Sequence, residues 1–147
     1  MEIAILALGC FWGPEIKFSK IYGITRTEVG YCGGNSSKTT YKEVCTGTTN
    51  HAEVVKLEFD PKIISYNKIL EFFFEFHDPT TLNSQGPDFG TQYRSEIFYL
   101  NEKQKNIAEE IIEKENHKLS GKVVTKLSLL KNYCPAEEFH QRYLEKR

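Results

Sequence analysis

An α+β two-layer sandwich, a mixed β-sheet with flanking helices, is the fold class that this sequence predicts, and three observations predict it. Apolar runs of strand length alternate with segments of helical periodicity in the order β-α-β-β-α-β-α-β. Capping and breaking residues mark helix starts and stops between those runs. The 147 residues hold no repeat or low-complexity stretch, and their number suits one domain, residues 1–147, able to bury a core without metal or disulfide staples.

The elements follow in order along the chain. Ile3 to Leu8 is a continuous apolar run, which predicts a buried first strand near 3–8. A helix near 14–22 opens at Pro14, whose missing N–H suits a first turn, with Glu15 at the positive end of the dipole, and stops at Gly23. A strand near 24–31 comes next, and Thr40 with Glu43 opens a short helical turn over 41–45 that Gly47 closes. Period-two alternation from His51 predicts a strand near 52–59, with Glu53, Val55, Leu57 and Phe59 on one face and Lys56 and Glu58 on the other. The helix near 65–77 ends at Asp78-Pro79, and the strand near 93–100 sets Tyr93 on one face with Ile97 and Tyr99. Asn101 and Gln104 form a capping box ahead of Ile107, Ile111 and Ile112, so a helix over 102–119 is expected, stopped by Gly121 and followed by a strand near 123–130. Residues 136–144 read as a short amphipathic helix laid over the core. Two long loops, 31–40 and 78–92, are dense in Gly, Pro, Asn, Ser and Thr, the kind of segment that carries function.

Nineteen basic against twenty acidic residues leave a net charge of −1, so nothing electrostatic favours nucleic acid or an anionic membrane as partner. No apolar run reaches the roughly 18 residues of a membrane span, and the chain opens into a strand rather than a basic signal region; a cytoplasmic location is expected. Cysteines at 10, 32, 45 and 134 form no CxxC pair and no His-x3-5-His accompanies them, which argues against a zinc site and for reduced thiols.

The chemistry points to Cys10. In Gly9-Cys10-Phe11-Trp12-Gly13-Pro14 a thiol stands where a buried strand gives way to a helix, so unpaired N–H groups and the positive helix end favour thiolate, while the flanking glycines allow close backbone approach. Phe11 and Trp12, the only tryptophan, read either as core anchors or as an apolar wall for a small apolar substrate group. Glu53 reads either as a frayed strand start reaching water or as a carboxyl held against apolar surface, with its pKa raised enough to donate a proton near neutral pH. Tyr41 and Tyr93 lie beside Gly-rich loops and could donate to a neutral oxygen, though among eight tyrosines packing is the commoner role. His51, His77, His117 and His140 read as structural. A Cys-His acyltransferase using Cys10 with His51 or His140, and a non-enzymatic redox sensor, are the rival functions.

Six motifs occur in order: Gly-Cys-Phe-Trp-Gly, Gly-Tyr-Cys-Gly-Gly, Tyr-Lys-Glu-Val-Cys-Thr-Gly, His-Ala-Glu-Val, Gly-Thr-Gln-Tyr-Arg-Ser and Ala-Glu-Glu-Phe-His-Gln. They span Gly9 to Leu144, and on them the chain resembles the peptide methionine sulfoxide reductase A family. The resemblance implies a ferredoxin-like sandwich and reduction of methionine S-sulfoxide, free or in peptides and proteins, without metal or organic cofactor. It implies Cys10 as nucleophile, Phe11 and Trp12 as the methyl pocket, Glu53 as acid, Tyr41 and Tyr93 as donors to the sulfoxide oxygen, and Asp88 as a support acting through hydrogen bonds. Many relatives carry resolving cysteines in a glycine-rich tail after the His-Gln motif, where this sequence reaches Arg147 without one. Cys45 matches a position read as a buried structural thiol, which leaves Cys134 or Cys32 as resolver, or direct reduction of oxidised Cys10 by an external thiol such as thioredoxin, glutaredoxin or a small dithiol.

Overall fold

The computed structural model describes residues 1–146, so Arg147, the last residue of the expected domain, lies outside them. The strands are β1 (Glu2–Leu8), β2 (Ile24–Cys32), β3 (Ala52–Phe59), β4 (Ser84–Gln85), β5 (Asp88–Phe89), β6 (Ser95–Tyr99), β7 (Lys126–Leu129) and β8 (Cys134–Pro135). The α-helices are α1 (Trp12–Ser19), α2 (Tyr41–Cys45), α3 (Tyr66–Phe76), α4 (Glu102–Lys118) and α5 (Tyr143–Lys146). Six strands form one sheet in the order β7-β6-β1-β3-β2-β8, whose four long central members give the split β-α-β plait expected from the sequence. All its pairings are antiparallel except β6 with β7, so the sheet is mixed.

The helices cover one face, where Leu6, Val29, Val55, Leu57 and Phe59 meet Phe18 of α1, Ile69, Leu70 and Phe73 of α3 and Ala108 and Ile111 of α4. The alternate residues Ile5, Ala7, Cys32, Ala52, Val54 and Phe98 point the other way and pack under Leu130 and Tyr133. Burial of each apolar face against a second layer is what stabilises such a sheet, at about 25 cal/mol per Å² removed from water. The helix starts match their capping residues. The Glu43, Lys68 and Gln104 backbone N–H groups donate to Thr40 Oγ1 (3.2 Å), Ser65 Oγ (3.1 Å) and Asn101 Oδ1 (2.9 Å).

Two expectations fail, each for a tertiary reason. The strand expected from Tyr93 begins only at Ser95, because Gly90 (φ +136°) turns the chain and the Tyr93 N–H closes a 3-10 turn onto the Gly90 carbonyl at 3.0 Å. Tyr93 therefore does not share a strand face with Ile97 and Tyr99. The helix expected over 136–144 is broken into a 3-10 turn, Glu138–His140, and the short α5, with Gln141 extended and Arg142 at φ +49° between them. Here long-range partners outcompete local helical bonds: the Gln141 side-chain amide pairs with Val29 N–H and C=O at 2.9 Å each, and the Arg142 N–H donates to Glu15 Oε1 at 2.7 Å. Glu15 thus does more than complement the helix dipole. Its carboxylate is buried, accepts from Thr27 Oγ1 (2.9 Å) as well, and ties the C-terminal segment to α1 and β2. Glu15→Ala is expected to lower stability by about 1–2 kcal/mol, read as a reduced urea midpoint at unchanged slope, since it strands two donors.

Candidate active site

Strand β1 delivers Cys10 to the mouth of the helix-covered layer. Gly9 (φ +96°) makes the turn, and a Cβ there would lie 2.9 Å from Gln85, so its glycine is what lets the β4–β5 hairpin close over this corner. Gly13 has no such duty, because an added Cβ would meet nothing within 4 Å; it leaves space at the helix start rather than allowing a close contact. Helix α1 begins at Trp12, with Phe11 as its uncapped N-cap, so Cys10 stands just ahead of the first turn.

The thiol is not the ready thiolate that a helix start suggests. Burial pushes Cys10 up to about 11; the Trp12 backbone N–H on the sulfur opposes this, and the negative charges of Glu53 and Asp88 add to it. Desolvation outweighs the Trp12 hydrogen bond, so at neutral pH the resting sulfur is mainly thiol.

Glu53 is 1% exposed, which settles its two readings in favour of the buried carboxyl. It faces the helix layer with Val55, Leu57 and Phe59, as the alternation predicts, and its Oε1 accepts the Phe11 N–H at 3.2 Å. Burial raises its pKa to about 8 against that hydrogen bond, and Asp88 raises it further, so at neutral pH it holds its proton. Since Oε1 is the acceptor, the hydrogen belongs on Oε2, which is buried and has no partner among the described residues. The site thus holds a carboxylic acid with its O–H uncommitted.

Two phenols complete the polar side. Burial raises Tyr93 to about 12, with the charges of Glu53, Cys45, Asp88 and Cys10 acting in the same direction. Tyr41 is also raised by burial, then by a hydrogen bond with the Cys45 sulfur; its backbone N–H donates to Glu137 Oε2 at 3.0 Å. Both remain O–H donors through the physiological range. Asp88 lies on β5, and among the described residues its carboxylate makes no side-chain hydrogen bond, so it bears on the site through charge instead of through the hydrogen bonds expected of it.

The aromatic pair divides. Phe11 is 1% exposed and packs on Tyr31 (5.8 Å between centroids) and His140 (5.3 Å), so it is part of the core floor. Trp12 is half-buried, stacked on Tyr143 at 3.9 Å and 14°, with its indole N–H donated to His140 Nδ1 at 3.1 Å. Among the described residues neither His51 nor His140 hydrogen-bonds Cys10: His51 Nε2 meets the Ser36 carbonyl at 2.8 Å and His140 Nδ1 accepts from Trp12 at 3.1 Å. No local spacing or periodicity places His140 at the centre of the aromatic cluster. Its only hint was its place in the last motif.

Cys32 and Cys134 lie on other parts of the sheet, whereas Cys45 borders the site, its sulfur hydrogen-bonded with Tyr41. Cys32 is fully buried on the opposite sheet face, donating to the Lys131 carbonyl at 3.2 Å. Cys134 sits on the edge strand β8, its thiol 3.7 Å from the Thr39 carbonyl. Cys45 is exposed, not the buried structural thiol expected, and all four thiols are free. Among the described residues no three His, Cys, Asp or Glu side chains gather to hold a metal.

A thiol beside a protonated carboxyl and two un-ionised phenols suits thiol-based reduction of a neutral oxygen acceptor, and the class so defined is a cysteine-dependent oxidoreductase. Residues 2–147 match the family model "Peptide methionine sulfoxide reductase". The chain is 80% identical over 147 residues, the full length of both chains, to peptide methionine sulfoxide reductase MsrA of Pelagibacter ubique (strain HTCC1062). Its structure is similar to that of Saccharomyces cerevisiae Mxr1 in reduced form, with a TM-score of 0.94 and 42% identity over 99% of this chain and 85% of that one. Mxr1 in complex with Trx2 matches with a TM-score of 0.68 and 28% identity, covering 97% and 84%. The chain belongs to the peptide methionine sulfoxide reductase family and is an enzyme of that family.

With Cys10 near 11, alkylation by iodoacetamide should accelerate about tenfold per pH unit from 7 to 10 without levelling off near 8. A plateau below pH 9 would show that the helix end governs the thiol after all.

Proposed function

We propose that the enzyme reduces the S epimer of methionine sulfoxide, free or in peptides and proteins, with Cys10 as nucleophile and Glu53 as acid. The observation that carries this reading is the Glu53 O–H, held un-ionised by burial and left without a partner in the same corner as the Cys10 thiol. A sulfoxide sulfur is electrophilic, but its oxygen departs only once protonated, so attack and proton delivery must come from different sides.

Cys10 loses its proton to solvent as its sulfur bonds the substrate sulfur, and Glu53 gives its proton to the sulfoxide oxygen. Transfer of that hydroxyl to Cys10 breaks the substrate S–O bond and the newly formed sulfur–sulfur bond together, leaving Cys10 as sulfenic acid and releasing the thioether; Glu53 then regains a proton from solvent. Thiol plus sulfoxide thus become sulfenic acid plus methionine, with Cys10 oxidised by two electrons and the substrate reduced by two. Tyr41 and Tyr93 donate to the oxygen as its charge develops, and Asp88 helps keep Glu53 protonated. Trp12 above the Phe11 floor takes the methyl group, a contact of about 1 kcal/mol that orients more than it binds. Methyl and oxygen held on separate walls leave one epimer with its sulfur toward Cys10.

Regeneration follows from where the remaining thiols lie. Cys32 is sealed behind the sheet, the Cys134 sulfur lies against the Thr39 carbonyl at the β8 edge, and the Cys45 sulfur is engaged by Tyr41, which supports direct reduction of oxidised Cys10 by an external thiol. The similarity to a protein solved with Trx2 supports thioredoxin over glutaredoxin or a small dithiol. No organic or metal cofactor has a part in this cycle.

Glu53→Gln should slow single-turnover reduction of methionine S-sulfoxide by about 10²–10⁴-fold while making Cys10 alkylation faster above pH 8, because the carboxylate charge that raises the thiol is gone. Unchanged turnover would remove Glu53 from the reaction. One equivalent of sulfoxide added to the reduced protein should consume a single thiol by thiol titration; loss of two would mean an internal disulfide.

A further inference from the structure

His140 makes a contact that packing alone does not require. It is 2% exposed, surrounded by the rings of Phe11 (5.3 Å), Tyr41 (4.5 Å) and Phe139 (4.1 Å), and phenylalanine would suit that environment. An indole N–H can only donate, so the 3.1 Å contact from Trp12 fixes His140 Nδ1 as a bare acceptor. The hydrogen of the neutral ring is then on Nε2, and Nε2 is buried without a partner among the described residues. The fold accepts an unsatisfied N–H at this spot and obtains in return one acceptor aimed at the only tryptophan.

The geometry of Trp12 shows what that acceptor controls. Tyr143 stacks on one indole face at 14°, which sets the ring plane but leaves the indole free to slide or turn within that plane. The N–H bond to Nδ1 removes this freedom. Both restraints come from the C-terminal segment, and Glu137 of the same segment anchors Tyr41 through its backbone N–H and Tyr31 through its hydroxyl at 2.8 Å.

We propose that His140 is the positioning residue for Trp12: its Nδ1 holds the indole in the one in-plane rotation that forms the methyl wall beside Cys10, and it thereby sets affinity and epimer selectivity. This rests on the reductase reading, in which Trp12 receives the methyl group. Burial lowers the pKa of His140 against the opposing charge of Glu137, which keeps Nδ1 bare at neutral pH.

The test compares two variants of the full chain. His140→Phe keeps a ring and loses the acceptor; His140→Asn loses the ring and keeps an acceptor oxygen where Nδ1 stood. A 15N-labelled sample gives one indole N–H signal, which in His140→Phe should move to the position of a solvent-exposed indole and exchange with deuterium at least about tenfold faster, with His140→Asn nearer to wild type. With methionine S-sulfoxide, His140→Phe should raise KM about tenfold with kcat changed less than about threefold, and should lower the S-over-R preference; His140→Asn should recover most of both. Wild-type indole signal and KM in His140→Phe would overturn the proposal, as would a His140→Asn variant that folds but recovers neither. If wild type itself fails to reduce the sulfoxide, the reductase reading falls while the indole signal still decides the hydrogen bond.

Discussion

One carboxyl group held out of water organises this corner of the molecule. Glu53 lies at the start of β3, paired across the sheet with Tyr31, under a layer that excludes solvent, and its single hydrogen bond is to the Phe11 N–H. That one bond does not offset the desolvation of a carboxylate, so the group stays neutral and offers a hydrogen. The same dryness that keeps Glu53 protonated makes Cys10 a poor thiolate, and the charge of Asp88 raises both. A site built this way is quiet at rest.

The second constraint is the C-terminal segment, which holds the site from outside the sheet. Glu137 fixes Tyr41 and Tyr31, His140 fixes Trp12, Gln141 takes the place of a strand partner for Val29, and the Arg142 backbone binds the buried Glu15. This explains why a stretch of helical composition is not a helix. The side chains of Glu137, His140 and Gln141 and the backbone of Arg142 each meet a fixed polar group elsewhere, and a regular helix could satisfy only one face of such a set. Trp12, Tyr41 and the start of α1 are therefore tied into one unit by residues 137–143.

Much of this was legible in one dimension. Strand and helix order, the caps at Thr40, Ser65 and Asn101 and the inward direction of Glu53 follow from local rules of spacing and alternation that the folded chain obeys. The six ordered motifs named the family, and the comparisons place the chain in it. The failures have a common form. Local pattern puts Tyr93 on a strand, Gly13 at a close approach and Cys10 as a thiolate, and the family resemblance puts Cys45 inside; in each case a distant segment, or its absence, decides otherwise.

Neighbouring residues encode the set of elements, a thiol just after β1 and a carboxyl on the inward face of β3, because helix caps and strand alternation are local properties. Only the tertiary structure decided their protonation, since whether a carboxyl keeps its hydrogen or a thiol loses it depends on how much water and which charges the whole fold leaves beside it. It decided equally that His140 accepts from Trp12, a bond between residues 128 positions apart that no local pattern encodes.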